Sequence, residues 1–385
     1  MLKNSIILKK HIFVIIAVSI FVLLLTGQIE YQLTQYKDSD LTKYIAMAKS
    51  SPELNLNIIR PFVYRILAPW FVGLMPFSIP ANFFLLNVIF LVVLSLVFYF
   101  ALLEFELSPN VALTLTIAFQ MNRYFFQFLS WNYFQLCDTV ALTVLFASFI
   151  FIKRKNWIAL FFILPISILV KEYALIILPA GLFYFLIQQK EKKEFITFLF
   201  LSFATVAVYS LIRILLEANQ GVDLLTQYTT KEFYYSRPML FLKKYIASFT
   251  PFGLLPIIFY KELIQFFKKN SFLFVYTVTV IIISYFGEAE RMMAPLAIVY
   301  FLFIGNLIEG RFTLSRNDFL SNKIFIVIIM ISFLSSFYHL WGIIQLPNKY
   351  WSIISTILFS IIIAIVFYKK DLEIFSVNQN LKNST

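Results

Sequence analysis

Residues 36–70 read YKDSDLTKYIAMAKSSPELNLNIIRPFVYRILAPW, and the reading of this stretch decides the fold. It follows the first long apolar run and holds three acidic, five basic and five aromatic side chains. Around it the chain is rich in Ile, Leu and Phe. Of 385 residues 61% are hydrophobic and 14% charged, and the mean hydropathy is +0.83. A soluble domain needs more polar surface than that. Apolar runs recur at lengths close to the ~20 residues a helix needs to cross a bilayer. The class implied is an all-α polytopic membrane protein.

Those runs predict spans near 9–27, 82–103, 109–128, 133–152, 157–170, 173–188, 195–216, 243–260, 271–286, 292–308, 324–342 and 351–368, about twelve in all. The 157–188 region reads either as two short helices broken at Lys171-Glu172 or as one helix kinked near Pro165; parity favours two. Residues 1–370 then form a single transmembrane domain, followed by a short cytoplasmic tail, 371–385. The run from Ile12 to Thr26 has no small-residue cleavage site and reads as an anchor.

Orientation follows from lysine. With the N-terminus inside, Lys3, Lys9, Lys10, Lys153, Lys155, Lys268, Lys269, Lys369 and Lys370 all fall on the cytoplasmic side. So do the basic stretches at 188–194 and 311–323. The stretch 28–81 is then the first extracytoplasmic loop. Its part 61–76 is apolar enough to resemble a span, but a span there would flip every later turn. It also carries Arg65 and three prolines, and is expected to lie as a helix in the interface. The location implied is the cell inner (plasma) membrane, with both termini cytoplasmic and the active face outside.

Arginine behaves oppositely to lysine. Arg60, Arg65, Arg123, Arg213, Arg237 and Arg291 fall on the outer side, against Arg154, Arg311 and Arg316 inside. Pairing with local acids or snorkelling to headgroups accounts for some of these. Arginine's planar fork also suits phosphate and carboxylate. Asp38, Asp40, Asp138, Lys171, Glu172, Glu288 and Glu290 collect on the same side, and polar groups at membrane depth mark functional sites. Elsewhere the chemistry is sparse. Cys137 is the lone cysteine, which excludes an intrachain disulfide. His11 and His339 are too far apart to suggest a metal centre. The net charge of +12 is scattered between spans, which points to membrane lipids and phosphate-bearing ligands and away from nucleic acid.

Within the opening stretch, Leu41, Tyr44 and Ala48 share a helical face, and Asp38 or Asp40 stands where an N-cap would. The pattern Asp40-x-x-x-Tyr44-x-x-x-Ala48, followed by Arg65-Ile-Leu-Ala-Pro69, resembles the first outer loop of bacterial GT-C glycosyltransferases. Leu169-Val170-Lys171-Glu172 is similar to that superfamily's Lys-Glu at a short outer hairpin. Glu288-Ala289-Glu290-Arg291 with Pro295 resembles its late Glu/Arg-x-x-x-Pro turn. The likeness covers roughly residues 1–310. It departs where Ser39 or Leu41 replaces a glycine that often follows the key aspartate, and in having no soluble C-terminal domain.

The resemblance implies transfer of a sugar from a polyprenyl-phosphate-linked donor to a glycan, lipid or protein acceptor. Asp40 is expected to be the general base and Asp38 its orienting partner, although the two could exchange roles. If a divalent cation such as Mg or Mn takes part, the same two aspartates would hold it. Arg65, Lys171, Arg291 and Arg60 are the candidates for the donor phosphate, with Tyr44, Asp138, Glu172, Glu288 and Glu290 in support. Asp138 could equally make a helix-packing hydrogen bond, and Glu172 could serve to hold Lys171. Two other readings stand beside this one: an O-antigen or capsule polymerase, which would concentrate its arginines late in the chain, and a lipid or sugar flippase, which would carry mid-span charges and internal repeats.

Overall fold

A computed structural model describes residues 2–26, 40–189, 191–216, 231–286, 290–312, 323–337 and 348–383. These residues form helices and turns only, with no strand among them. Among the described residues six helices are long and apolar enough to cross a membrane. They begin with α1 (Leu2–Thr26) and α4 (Ile79–Glu104) and continue with α6 (Leu136–Lys153) and α9 (Lys192–Leu215). Then come α13 (Ala297–Arg311), with the turn of helix before it, and α15 (Asn348–Asn383). A seventh span is reached if α11 (Tyr260–Lys269) and α12 (Ser271–Phe286) count as one, although they meet at 114°. The chain is a polytopic helical membrane protein.

The remaining elements are shorter: α2 (Asp40–Ser50), α3 (Leu67–Leu74), α5 (Pro109–Gln120), α7 (Trp157–Ile168), α8 (Ala174–Phe183), α10 (Lys231–Ser248) and α14 (Lys323–Ser336). Four of the runs expected as spans therefore fall short of full length as helices, namely α5, which stops at Gln120 where the sequence predicts a span to 128, α7, α8 with its continuation to Ile187, and α14. The run at 157–188 is two helices, broken at Val170 to Tyr173. The span expected over 243–260 is not one helix: α10 stops at Ser248, turns follow, and Leu255–Ile258 adds a single turn. Pro251 and Pro256 lack the N–H that a continuous helix needs there. Beyond residue 370 the helix α15 runs on to Asn383, so 371–383 continues the last helix.

Polar groups tie the helices together inside the apolar bundle. Ser19 on α1 donates to Ser95 on α4, and the Gln120 amide donates to Ser19 and to the Ile15 carbonyl. Asn87 on α4 donates to the Leu129 carbonyl at 2.8 Å and accepts from Thr139 on α6 at 2.8 Å. In hydrocarbon such groups have no water to turn to, so they fix helix register.

Ion pairs mark two opposite ends of the bundle. One end holds Arg154–Glu104, Lys155–Glu194 and Arg311–Glu262. The other holds Arg65–Glu172, Lys171–Asp138 and Arg291–Asp40. Helices α4, α6, α7, α8 and α9 run between these ends.

At the second end α2 lies on α3 rather than crossing the membrane. Leu41, Tyr44, Ile45, Met47 and Ala48 are its buried face. Its approach to α3 is close enough that a Cβ on Gly73 would stand 2.1 Å from the Ala48 carbonyl oxygen and 2.5 Å from Ser51 Cβ. Both obstacles sit on or beside backbone, so they cannot step aside. Asn82, at the start of α4, donates to three carbonyls, those of Val72, Met75 and Phe77, and closes the turn beneath α3.

Gly73→Val should force α2 off α3, costing about 1–3 kcal/mol for overpacking. A lowered thermal midpoint of the purified protein, with normal membrane insertion, is the expected result.

Candidate functional site

Asp40 opens α2 and presents its carboxylate to two distant parts of the chain. Its Oδ2 accepts from Arg291 Nη2 at 2.9 Å and from Gln135 Nε2 at 3.0 Å. Arg291 comes from the turn of helix Glu290–Leu296 ahead of α13, and Gln135 from the turn Tyr133–Gln135 ahead of α6. Both turns exist because the chain stops being an ordinary helix there. Asn122 caps a third break, at Arg123–Gln127, its Oδ1 accepting from the backbone N–H of Tyr124 and Phe125 at 3.0 Å. The side chains of Asp40 and Arg291 are each 24% exposed, so small molecules can reach the pair.

Next to it is a buried pair. Asp138 on α6 meets Lys171, whose ammonium donates to Oδ1, and both are almost wholly enclosed. Tyr173 Oη donates to the same oxygen at 3.2 Å, and the Lys171 ammonium lies 4.5 Å from the Tyr173 ring centre. Asp138 Oδ2 has no partner among the described residues.

A third group extends from Arg65. Its Nη1 donates to Tyr44 Oη at 3.2 Å and its Nη2 to Glu172 at 3.2 Å. Tyr44 stands one turn beyond Asp40 on α2, so Arg65 reaches the Asp40 end through it. Arg213 on α9 donates to the other Glu172 oxygen at 3.2 Å and stacks on Tyr209, 3.5 Å from its ring centre, and on Tyr64 at 4.5 Å. The Nε atoms of Arg65 and Arg291 are both buried with no hydrogen-bond partner among the described residues.

Burial alone would raise the Asp40 carboxyl, but Arg291 and the Gln135 amide more than offset it and hold it below the ordinary carboxylate range. Glu172 behaves likewise: burial pushes it up, and Arg65, its own backbone N–H, Lys171 and Arg213 bring it below its usual value. Burial dominates at Tyr44, whose phenol is pushed well up despite Arg65. Asp40 and Glu172 are therefore ionised at neutral pH.

Of the residues expected at a site, Asp40, Tyr44, Arg65, Asp138, Lys171, Glu172 and Arg291 come together. Arg60 is exposed and makes no ion pair among the described residues, and Glu290, half-buried, makes none either. Asp38 and Glu288 lie outside the described residues. Glu172 does not hold Lys171; it bridges Arg65 and Arg213, while Lys171 goes to Asp138. Gln135 and Tyr173 carried no sequence signal beyond lying near Asp138 and Lys171-Glu172. Among the described residues no three His, Cys, Asp or Glu side chains could share a metal ion. Asp40 and Asp138 each already face a cation, a donor set that does not suit a resident divalent metal.

No protein-family model, curated protein or solved structure matches the chain.

Two outcomes follow from this geometry. Breaking one half of the buried pair, by Lys171→Met or Asp138→Asn, should cost about 3–5 kcal/mol by stranding a charge or a polar group. The double variant Asp138→Leu with Lys171→Met should recover most of that loss in thermal unfolding. A second measurement concerns acid. The folded value of Asp40 is depressed, so its contribution to stability is complete above about pH 4 and fades as pH falls through the lower folded value. Asp40→Asn should flatten that acid limb.

Proposed function

We propose that the protein is a glycosyltransferase of the GT-C kind, moving a sugar from a polyprenyl-phosphate-linked donor to a glycan, lipid or protein acceptor at the extracytoplasmic face. The observation that carries this reading is the Asp40–Arg291 contact, in which a carboxylate and a guanidinium 251 residues apart meet at one end of the bundle. Counting the three ion-paired groups, Arg65, Lys171, Arg213 and Arg291 face Asp40, Asp138 and Glu172, which leaves one net positive charge. Three guanidinium groups beside these carboxylates suit a phosphate anion. A flippase reading fits less well, because the charges sit at the helix ends.

In the proposed reaction the acceptor hydroxyl attacks the anomeric carbon while Asp40 takes its proton. The new carbon–oxygen bond forms as the bond from the anomeric carbon to the phosphate oxygen breaks. Polyprenyl phosphate then leaves with one more negative charge than the donor's phosphate carried. Arg291 and Arg65, with their unpartnered Nε donors, are placed to stabilise that growing charge, and Arg213 adds a third fork. Lys171 is enclosed by Asp138 and Tyr173, so we assign it to holding Asp138 in place; the phosphate contact passes to the arginines. Arg60 and Glu290 have no role in this reading.

The donor's tail needs an apolar course from the same place. A groove of about 380 Å³ runs between α10, α12 and α13, lined among others by Leu242, Ile281, Leu296, Val299 and Tyr300. Leu296 ends the turn of helix that carries Arg291. The proposal routes the donor's tail from that arginine past Leu296 into the groove. The twelve-span threading, with both termini cytoplasmic, belongs to the same proposal and puts the Asp40 end outside.

Asp40→Asn keeps size but removes the base and the charge paired with Arg291, so transfer from a polyprenyl-phosphate sugar should vanish while expression persists and the unfolding midpoint falls by no more than the lost ion pair accounts for. An active Asp40→Asn alongside an inactive Asp38→Asn would exchange the roles; activity in both would end the carboxylate reading. Donor binding should weaken from wild type through Arg65→Lys to Arg65→Ala, each charge-assisted contact being worth ~1.5–3 kcal/mol.

A further inference from the structure

We infer that the end of the bundle opposite Asp40 carries a binding surface for anionic phospholipid headgroups, built on α11 and the neighbouring part of α15. The surface is independent of the glycosyltransferase reading. It rests on three observations: the direction of α11, the way its faces divide, and where the acids of that region are engaged.

Helix α11 does not continue the span that follows it. The chain turns by 114° between α11 and α12, so if α12 stands across the bilayer, α11 lies along its surface. Its sequence, YKELIQFFKK, separates into faces accordingly. Phe266 is buried, and Leu263 and Phe267 line the floor of the apolar groove described above. On the other side Lys261, Gln265 and Lys268 fall at i, i+4 and i+7, a single stripe, and all three are exposed. Tyr260 and Ile264, 55% and 51% exposed, flank the stripe where acyl chains meet headgroups. A short helix with one apolar face, one basic face and exposed residues of intermediate depth is the form taken by interfacial helices.

Among the described side chains, the two acids beside these lysines on α11 and α15 are taken by Arg311. Its Nη2 reaches Glu262 at 2.8 Å and its Nε reaches Asp371 at 3.0 Å, while its guanidinium lies 4.9 Å from the Phe259 ring and 5.6 Å from that of Phe367. That clamp joins α11, α13 and α15. Lys369, exposed two residues before Asp371, stands at the same end of the bundle, on the side of α15 turned away from the clamp. Lys261, Lys268 and Lys369 have no acidic partner among the described residues. Compact ammonium groups on flexible stems beside exposed apolar side chains suit a phosphate headgroup whose tail enters the bilayer. A free soluble anion would gain nothing from Tyr260 and Ile264.

The test uses the full-length protein in micelles and native mass spectrometry with two probes, dioleoylphosphatidylglycerol and dioleoylphosphatidylcholine. Wild type should retain the anionic lipid in preference to the zwitterionic one. The triple variant Lys261→Gln, Lys268→Gln, Lys369→Gln should lose that preference by roughly fivefold per lysine, with retention of the zwitterionic lipid unchanged. The control Lys9→Gln, Lys10→Gln, Lys323→Gln removes the same charge elsewhere and should keep the preference. Arginine at the three α11 and α15 positions should also keep it, which separates lost charge from lost fold. Equal loss in both glutamine triples would reduce the surface to general charge attraction and overturn the inference. So would full retention in the first triple, or retention of inorganic phosphate in place of the lipid.

Discussion

One carboxylate joins the two halves of this molecule: Asp40 is held at once by Arg291 and by Gln135. In a low-dielectric setting an ionised carboxylate is costly unless paired, and an arginine stays charged at any working pH. Each therefore constrains the other, and through them the start of α2, the turn before α6 and the turn before α13 are brought to one place. The remaining charges at that end obey the same rule. Asp138 and Lys171 satisfy each other, and Glu172 takes two arginines.

The scaffold serves that end in a particular way. Full-length helices supply the apolar body, and the chain departs from regular helix mainly where polar chemistry is presented. The breaks around Asn122, at 132–135, between α7 and α8, and at Glu290–Leu296 all lie beside the charged cluster. Backbone that leaves the helix at membrane depth is tolerated where it is buried in protein or lines a cavity. Polar side chains within the spans, such as Asn87, Thr139 and Gln120, bond to one another and set register.

Much of this was legible in the sequence, for identifiable reasons. Apolar run length marks a helix in membrane, so α1, α4, α6, α9 and α15 lie where hydropathy puts them. Arg65, Arg213 and Arg291, singled out in the sequence, do gather at one end of the bundle, with Asp40, Asp138 and Glu172. Helix length was less legible. Apolar content shows that 243–260 is buried but does not show that prolines break it, and it does not tell a full span from a shorter helix such as α14. Pairing was the least legible feature. Lys171 and Glu172 are adjacent, yet on a turn they point to different partners, one to α6 and the other to Arg65 and Arg213. Gln135 is an uncharged residue among aromatics, and only the fold reveals that it faces Asp40.

The central claim is that Asp40, Arg65 and Arg291 surround the phosphate of a lipid-linked sugar. A cryo-electron microscopy map of the protein with polyprenyl phosphate tests it most directly. The account expects phosphate density between the guanidinium groups of Arg65 and Arg291, beside the Asp40 carboxylate, with the tail entering the groove at Leu296. Phosphate density at the Arg311 end of the bundle, with the Asp40–Arg291 pair undisturbed, would contradict it.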